Sequence, residues 1–181
     1  MGAKLWTMSF VIFPAGPSDA EALGEVHVRA WRETYRGMLP DSYLTRLSPE
    51  LHARRWRRAL LASQAQEATL AAADRSGLVG YAGVGPSRRK VEGEAEIYTL
   101  YLIRTAQRRG LGRRLVADAA RLMAARGFTS MMISVLSDNV AARGFYERLG
   151  GEAEPDRLEH GPAGVVHETA YVWPDIRTLA A

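Results

Sequence analysis

Apolar residues along this chain recur with two periods, and where one gives way to the other marks out the elements. Residues 10–14, FVIFP, form a short strand-like run. Ser18 or Asp19 can then cap a helix that carries Ala22, Val26, Ala30 and Trp31 on one face, continues towards Tyr35 and stops at Gly37. A second helix is signalled by Ser48 as cap, Pro49 in the first helical position and Glu50 in the first turn. Its arginines, in LHARRWRRALL, read as a solvated face. Residues 68–73 and 78–84 follow as two strands around a tight turn, and SRRKVEGE reads as a polar loop. Residues 95–103, AEIYTLYLI, are rich in β-branched and aromatic side chains and apolar on both faces after Glu96, which predicts a central strand covered on both sides.

The helical period returns with Leu111, Leu115, Ala119 and Leu122, flanked by Val116 and Met123, and ends at Gly127. Residues 130–136, SMMISVL, make the next strand. A single helix separates it from the previous one, so the two form a βαβ crossover and should run parallel. Ser137 or Asp138 is expected to cap a short helix over NVAARGFYERLG, closed by Gly150. The segment EPDRLEHGPAG reads as a loop, and residues 165–173 as a last strand. The order predicts one mixed α/β sheet in one domain, 1–181, in which residues 1–8 are expected to be a poorly ordered or added N-terminus.

Composition narrows the function. At 181 residues, 47% hydrophobic and 24% charged, the chain is long enough for one domain with a sizeable core. It has no cysteine, which excludes a disulfide framework and a thiolate zinc site. Its histidines, His27, His52, His160 and His167, lack metal-ligand spacing, so no metal is expected. No apolar run is long enough to span a bilayer, and the N-terminus lacks a leader-type cleavage site, so the expectation is a cytoplasmic protein without a membrane partner. A net charge of +4 favours anionic ligands in general. The arginine clusters could suggest nucleic acid, but the aromatic interleaving of a single-strand platform is missing, and no nucleic-acid partner is expected.

The chemistry concentrates where the central strand gives way to the next helix, in QRRGLGRRL. Such a junction offers unpaired backbone N–H groups and the positive end of a helix dipole, and both favour phosphate. Gly110 and Gly112 remove side chains that would hold a phosphate off the backbone, and Arg108, Arg109, Arg113 and Arg114 add charge. A pyrophosphate fits this description. The spacing matches neither a P-loop nor a dinucleotide fingerprint, and packing glycines at a helix start are the competing explanation.

Two motifs decide between them. Gln107, Gly110 and Gly112 after the strand LYL, followed by Asn139, Ala142, Phe145 and Tyr146 with a closing Gly150, resemble the two acetyl-coenzyme A signatures of the GNAT superfamily of N-acetyltransferases. HVRAWRETYRGMLP and LVGYAGVGP also resemble one common bacterial branch, so the likeness covers nearly the whole chain. The resemblance implies a mixed, mostly antiparallel sheet of six to seven strands, with a splayed parallel pair at its centre and helices on both faces. It implies that the backbone of Leu100, Tyr101 and Leu102 bonds the pantetheine arm of acetyl-CoA. The amides of Arg108, Arg109, Gly110, Leu111, Gly112 and Arg113 would hold the pyrophosphate, with Asn139 and Arg143 on the other side of the arm.

Acetyl transfer to an amine needs a neutral amine, a polarised carbonyl and a proton for the departing thiolate. By the resemblance Tyr146 is the general acid, the competing role being packing beside the sulfur. Glu96 is the expected base, with Glu94 as its neighbour. Trp31 and Tyr35 read most simply as core aromatics, but their helix borders the acceptor site in similar proteins, which makes them candidate acceptor contacts. The acceptor is expected to be a primary amine of a small molecule or protein, shaped by the first two helices and the loop over 152–164. The alternative is a non-catalytic acetyl-CoA-binding module, and similar proteins are commonly homodimers. Three positions depart from the family pattern: Arg104 where proline is frequent, Gly144 within the last helix, and Gly151 in place of an aromatic residue.

Overall fold

A computed structural model describes residues 10–91, 93–161 and 163–180, so the expectation for residues 1–8 lies outside the described residues. The strands are β1 (Val11–Pro14), β2 (Ala68–Asp74), β3 (Gly77–Pro86), β4 (Glu94–Leu102), β5 (Ser130–Leu136), β6 (Glu152–Ala153), β7 (Arg157–Gly161) and β8 (Gly164–Trp173). The helices are α1 (Ala20–Thr34), α2 (Asp41–Thr45), α3 (Pro49–Leu61), α4 (Leu111–Ala125) and α5 (Val140–Arg148). All strands join one sheet in the order β1-β2-β3-β4-β5-β8-β6, with β7 also pairing β8. Among the described residues only β4 and β5 pair in parallel; the other pairs are antiparallel, as in β3 with β4 and β5 with β8.

Helices cover both faces. Tyr101 and Leu102 are neighbours on β4 and point to opposite sides. Tyr101 meets Trp31 and Tyr35 of α1, whereas Leu102 reaches towards Gly112 of α4. The main core lies between the sheet and these helices and includes Leu23, Ile97, Leu111, Leu115, Met123 and Met131. Burying each such side chain contributes about 1.5–3 kcal/mol. A smaller core of Val28, Tyr35, Leu44 and Leu47 sits under the far end of α1. Helices α1 and α3 touch backbone to backbone at Gly24, where a Cβ would lie 2.5 Å from the Pro49 carbonyl oxygen.

The parallel pair opens early. Registered partners run only from Glu94 opposite Ser130 to Glu96 opposite Met132. Beyond them β4 keeps its bonds to β3 as far as Leu102 opposite Gly80, and β5 keeps its bonds to β8 as far as Leu136 opposite Glu168. Each strand therefore turns an unpaired edge into the gap. The register between β3 and β4 slips between Gly83 and Val84, which leaves Tyr98 unopposed just where the gap begins. Bulges of this kind bend a strand and increase its twist.

Four elements differ from the sequence reading. The segment read as a loop holds β7, an edge strand exposed along nearly its whole length, and the two-residue β6. With neither face of β7 buried, no apolar alternation marks it. Helix α2 has only five residues, with Leu44 its one buried side chain, too short to set up a helical period. The cap of α5 is Asn139, not Ser137 or Asp138: its side chain accepts the Ala142 N–H at 3.2 Å.

Candidate active site

The gap between β4 and β5 is the floor of a cleft of about 850 Å³. Thr99, Leu100, Tyr101 and Leu102 line one wall, and Ile133, Ser134, Val135 and Leu136 the other. At one end stands the junction before α4. Arg108 and Gly110 adopt left-handed φ values of 58° and 79°, which wind the chain so that α4 starts with no side-chain cap. The first helical bond runs from the Arg114 N–H to the Gly110 carbonyl at 3.1 Å. The amides immediately before Arg114 precede that bond and lack helical acceptors. Gly112 keeps the approach open: a Cβ there would sit 3.4 Å from the Phe145 ring and 3.5 Å from Leu102.

The four arginines of the junction divide their work. Arg108 and Arg113 face the cleft. Arg109 stacks on the Phe10 ring at 4.7 Å, and Arg114 donates to the Phe10 carbonyl at 3.3 Å, so these two tie the junction to the residue just before β1. Leu111 is fully buried in the core and has only its backbone to offer. Gln107 donates to the Leu102 carbonyl at 2.9 Å, fastening the loop to the end of β4. The Arg104 N–H donates to Glu33 of α1 at 2.5 Å, a bond that a proline at this position could not make. Arg104 and Arg148, not anticipated as site residues, also line the cleft.

On the β5 side, Asn139 is buried and lines the cleft. Its carbonyl caps α5, and its amide nitrogen has no partner among the described residues. Arg143 does not line the cleft. It donates to the Tyr171 hydroxyl and the Ser137 carbonyl, both at 3.2 Å, and so braces α5 against β8. Where an aromatic residue was missing at Gly151, Trp173 fills the space, 2.8 Å from where a Cβ would stand, and its Nε1 donates to the Leu149 carbonyl.

The other end of the cleft is aromatic. Tyr146 is 5% exposed, lines the cleft, and packs on Phe145, Tyr171 and Trp173. Burial, with the Tyr35 phenol nearby, pushes its hydroxyl well above the ordinary tyrosine value, so it keeps its proton. Tyr35 and Tyr101 share a hydrogen bond of 2.9 Å, and both line the cleft with Trp31. The Trp31 indole N–H is buried without an acceptor among the described residues. Behind these rings His27 stacks on His52 at 4.1 Å and its Nδ1 lies 2.7 Å from the Tyr81 hydroxyl. Burial first, then the charges of His52 and Arg55, lower His27 to about 3.

Glu96 lies differently from a free base. It is 2% exposed, and its carboxylate accepts from the Arg88 backbone N–H at 2.8 Å, from Arg88 Nε at 2.9 Å and from an Arg88 terminal nitrogen. Arg88 lines the cleft and Glu96 does not. Glu94 is likewise buried, held by Arg89 at 2.8 Å and by Ser87. A carboxylate that does reach the cleft is Glu168 on β8, which the sequence reading did not single out. Among the described residues, no group of three or more histidines and carboxylates is arranged to hold a metal, and no helix is long and apolar enough to cross a membrane.

A sheet opened at a central parallel pair, with a helix start facing the gap, is the architecture of one class of acyl-transferring enzymes. The acetyltransferase (GNAT) family matches residues 28–151, and the chain belongs to that family. It is 34% identical over 165 residues to the uncharacterised N-acetyltransferase YuaI of Bacillus subtilis, covering 89% of this chain and 91% of that protein. Among solved structures it resembles the PaiA N-acetyltransferase of Thermoplasma acidophilum in complex with coenzyme A. The TM-score is 0.66 at 23% identity, over 90% of this chain and 98% of the other. It also resembles the yncA acetyltransferase of Salmonella typhimurium with acetyl-CoA, at TM-score 0.67 and 19% identity, over 91% and 93%.

Proposed function

We propose that this protein transfers an acetyl group from acetyl-CoA to a primary amine by direct attack of the amine on the thioester. The observation that carries the reading is the cleft itself: unpaired strand edges along its floor, free amides at one end, and a buried, protonated phenol at the other. The residues fit the cofactor. The edge of Leu100, Tyr101 and Leu102 matches an extended amide-bearing arm, which would add to β4 as a further strand. The amides of Arg108 to Arg113 suit a pyrophosphate, with Arg108 and Arg113 adding charge. The free amide nitrogen of Asn139 suits a carbonyl on the arm's other side, and Arg143 acts through α5 rather than by contact.

At the aromatic end, Tyr146 donates its proton to the sulfur as the carbon–sulfur bond breaks. The resulting phenolate is restored by the proton that the new amide nitrogen sheds. A thiol's ordinary value lies near 8.5, well below that of Tyr146, so the transfer to sulfur is uphill by itself and is drawn forward by the return of the amide nitrogen's proton to the phenolate. Trp31 and Tyr35 border the acceptor. Glu96 holds Arg88 in place, and the three hydrogen bonds from Arg88 occupy both of its carboxylate oxygens. That pairing is what favours the second reading, a non-catalytic acetyl-CoA-binding module.

Thiol release from acetyl-CoA, measured over a panel of primary amines, separates the two. Amine-dependent release is expected. Tight binding of acetyl-CoA with neither transfer nor slow hydrolysis would leave only the binding module.

A further inference from the structure

We propose that Glu168 anchors the acceptor as an ammonium ion and receives the proton that makes it nucleophilic, so that the preferred acceptor is a cationic primary amine without an adjacent carboxylate. This rests on the acetyl-transfer reading above and names its substrate class. Glu168 stands opposite Leu136 in the last registered pair of β5 and β8, at the mouth of the gap. With Val166 and Gly161 it forms the part of the β7–β8 hairpin that lines the cleft. Its carboxylate lies near enough to the Tyr35 phenol to raise it electrostatically, which sets it beside the aromatic end.

The other carboxylates near this end are engaged or turned outward. Glu96 is held by Arg88, Glu154 by Arg89 at 2.6 Å, and Asp156 accepts from Thr169 at 2.7 Å. The Glu168 carboxylate accepts no hydrogen bond and forms no ion pair among the described residues, yet the residue is half-buried. An unpaired carboxylate in a partly dry wall is costly to desolvate, and a bound cation relieves that cost. The groups that act on it are Arg88 and Tyr35 across the cleft, Glu96 behind Arg88, and on β7 Glu159 and Arg157, the latter directly opposite Glu168 in the strand pairing. Burial first, then Glu159, raises Glu168 above the ordinary carboxylate range, with Arg88 opposing. That shift brings it closer to the value of a useful base.

In the reaction R–NH3+ gives one proton to Glu168, and the freed amine attacks the thioester carbon. The carbon–sulfur bond breaks as Tyr146 protonates the sulfur. The amide nitrogen returns a proton to Tyr146, and Glu168 releases its own to water. A carboxylate on the carbon bearing the amine would approach Glu168 itself and be repelled.

The test compares glycinamide with glycine as acceptors, in the wild type and in Glu168→Gln and Glu168→Asp. Glycinamide is expected to be favoured by at least tenfold in kcat/KM. Glu168→Gln should lower kcat/KM for glycinamide about 100-fold and abolish the acid limb of its pH profile, while acetyl-CoA affinity stays unchanged. Glu168→Asp should restore part of the rate, which a merely structural role would not require. Wild-type transfer with Glu168→Gln unimpaired, or a preference for glycine, would overturn the role of Glu168 and leave acetyl transfer standing. Failure of the wild type to acetylate any amine would overturn both.

Discussion

The two ends of the cleft are built by opposite means. The end at α4 is backbone: one stretch of chain from Gln107 to Arg113, two left-handed residues and a run of amides, with side chains adding charge. The aromatic end is made of side chains from separate elements: Trp31 and Tyr35 near α1, Tyr101 on β4, Tyr146 on α5 and Glu168 on β8. A backbone seat depends on conformation and tolerates changes of single side chains. A side-chain constellation depends on each atom it presents. The two ends should therefore fail differently under mutation and acid.

The largest effect is expected at the aromatic end. Tyr146→Phe removes one oxygen from a packed ring, and should lower kcat by about 10²- to 10⁴-fold while acetyl-CoA affinity changes little. Steady-state rates with a parallel binding titration check this. An unchanged kcat would reduce Tyr146 to packing.

At the other end the comparison is between backbone and charge. Gly110→Val forces a β-branched residue into φ 79°, and Gly112→Leu projects a side chain between Phe145 and Leu102. Each should weaken acetyl-CoA binding by about 10- to 100-fold, from roughly 1–3 kcal/mol of strain or obstruction. Arg108→Ala and Arg113→Ala should each cost less, since an exposed charge contact is worth about 1 kcal/mol or below. Isothermal titration of the four variants ranks them, and a larger loss from either arginine would contradict the backbone seat.

Acid should sharpen the contrast with a smaller effect. His27 supports the aromatic end through Tyr81 and is held neutral, at about 3 against an ordinary 6.5. Between those values the unfolded chain takes up a proton that the fold excludes, so stability is full above about pH 6.5 and falls as pH drops towards 3. The loss is on the order of 2–4 kcal/mol, with His52 shifted in the same direction. Denaturant melts of wild type and His27→Phe across pH 4–8 measure it. The variant should be less stable at pH 8 and show a shallower acid decline.

The same contrast explains what could be read in the sequence. The helix start at α4 is local, so glycine spacing marked the junction, and the βαβ order predicted the parallel pair that the sheet contains. The depth of the splay was not visible, because it follows from a bulge at Tyr98 and from which neighbour each strand keeps. Glu96 looked available because its position on β4 was legible and its pairing with Arg88, from the preceding loop, was not. Glu168 was overlooked because the hairpin that carries it has an exposed partner strand without apolar alternation. Tyr146 was singled out through its motif, whereas its place in the cleft wall and its raised value come from burial among Tyr171 and Trp173, distant in sequence.

If one cleft holds acetyl-CoA between these two ends, a crystal structure of the protein with acetyl-CoA will show it. The pantetheine arm is expected along Leu100, Tyr101 and Leu102, the pyrophosphate on the amides between Arg108 and Arg113, and the thioester sulfur within hydrogen-bonding reach of the Tyr146 hydroxyl. A pyrophosphate seated away from those amides, or a sulfur beyond the reach of Tyr146, would contradict it.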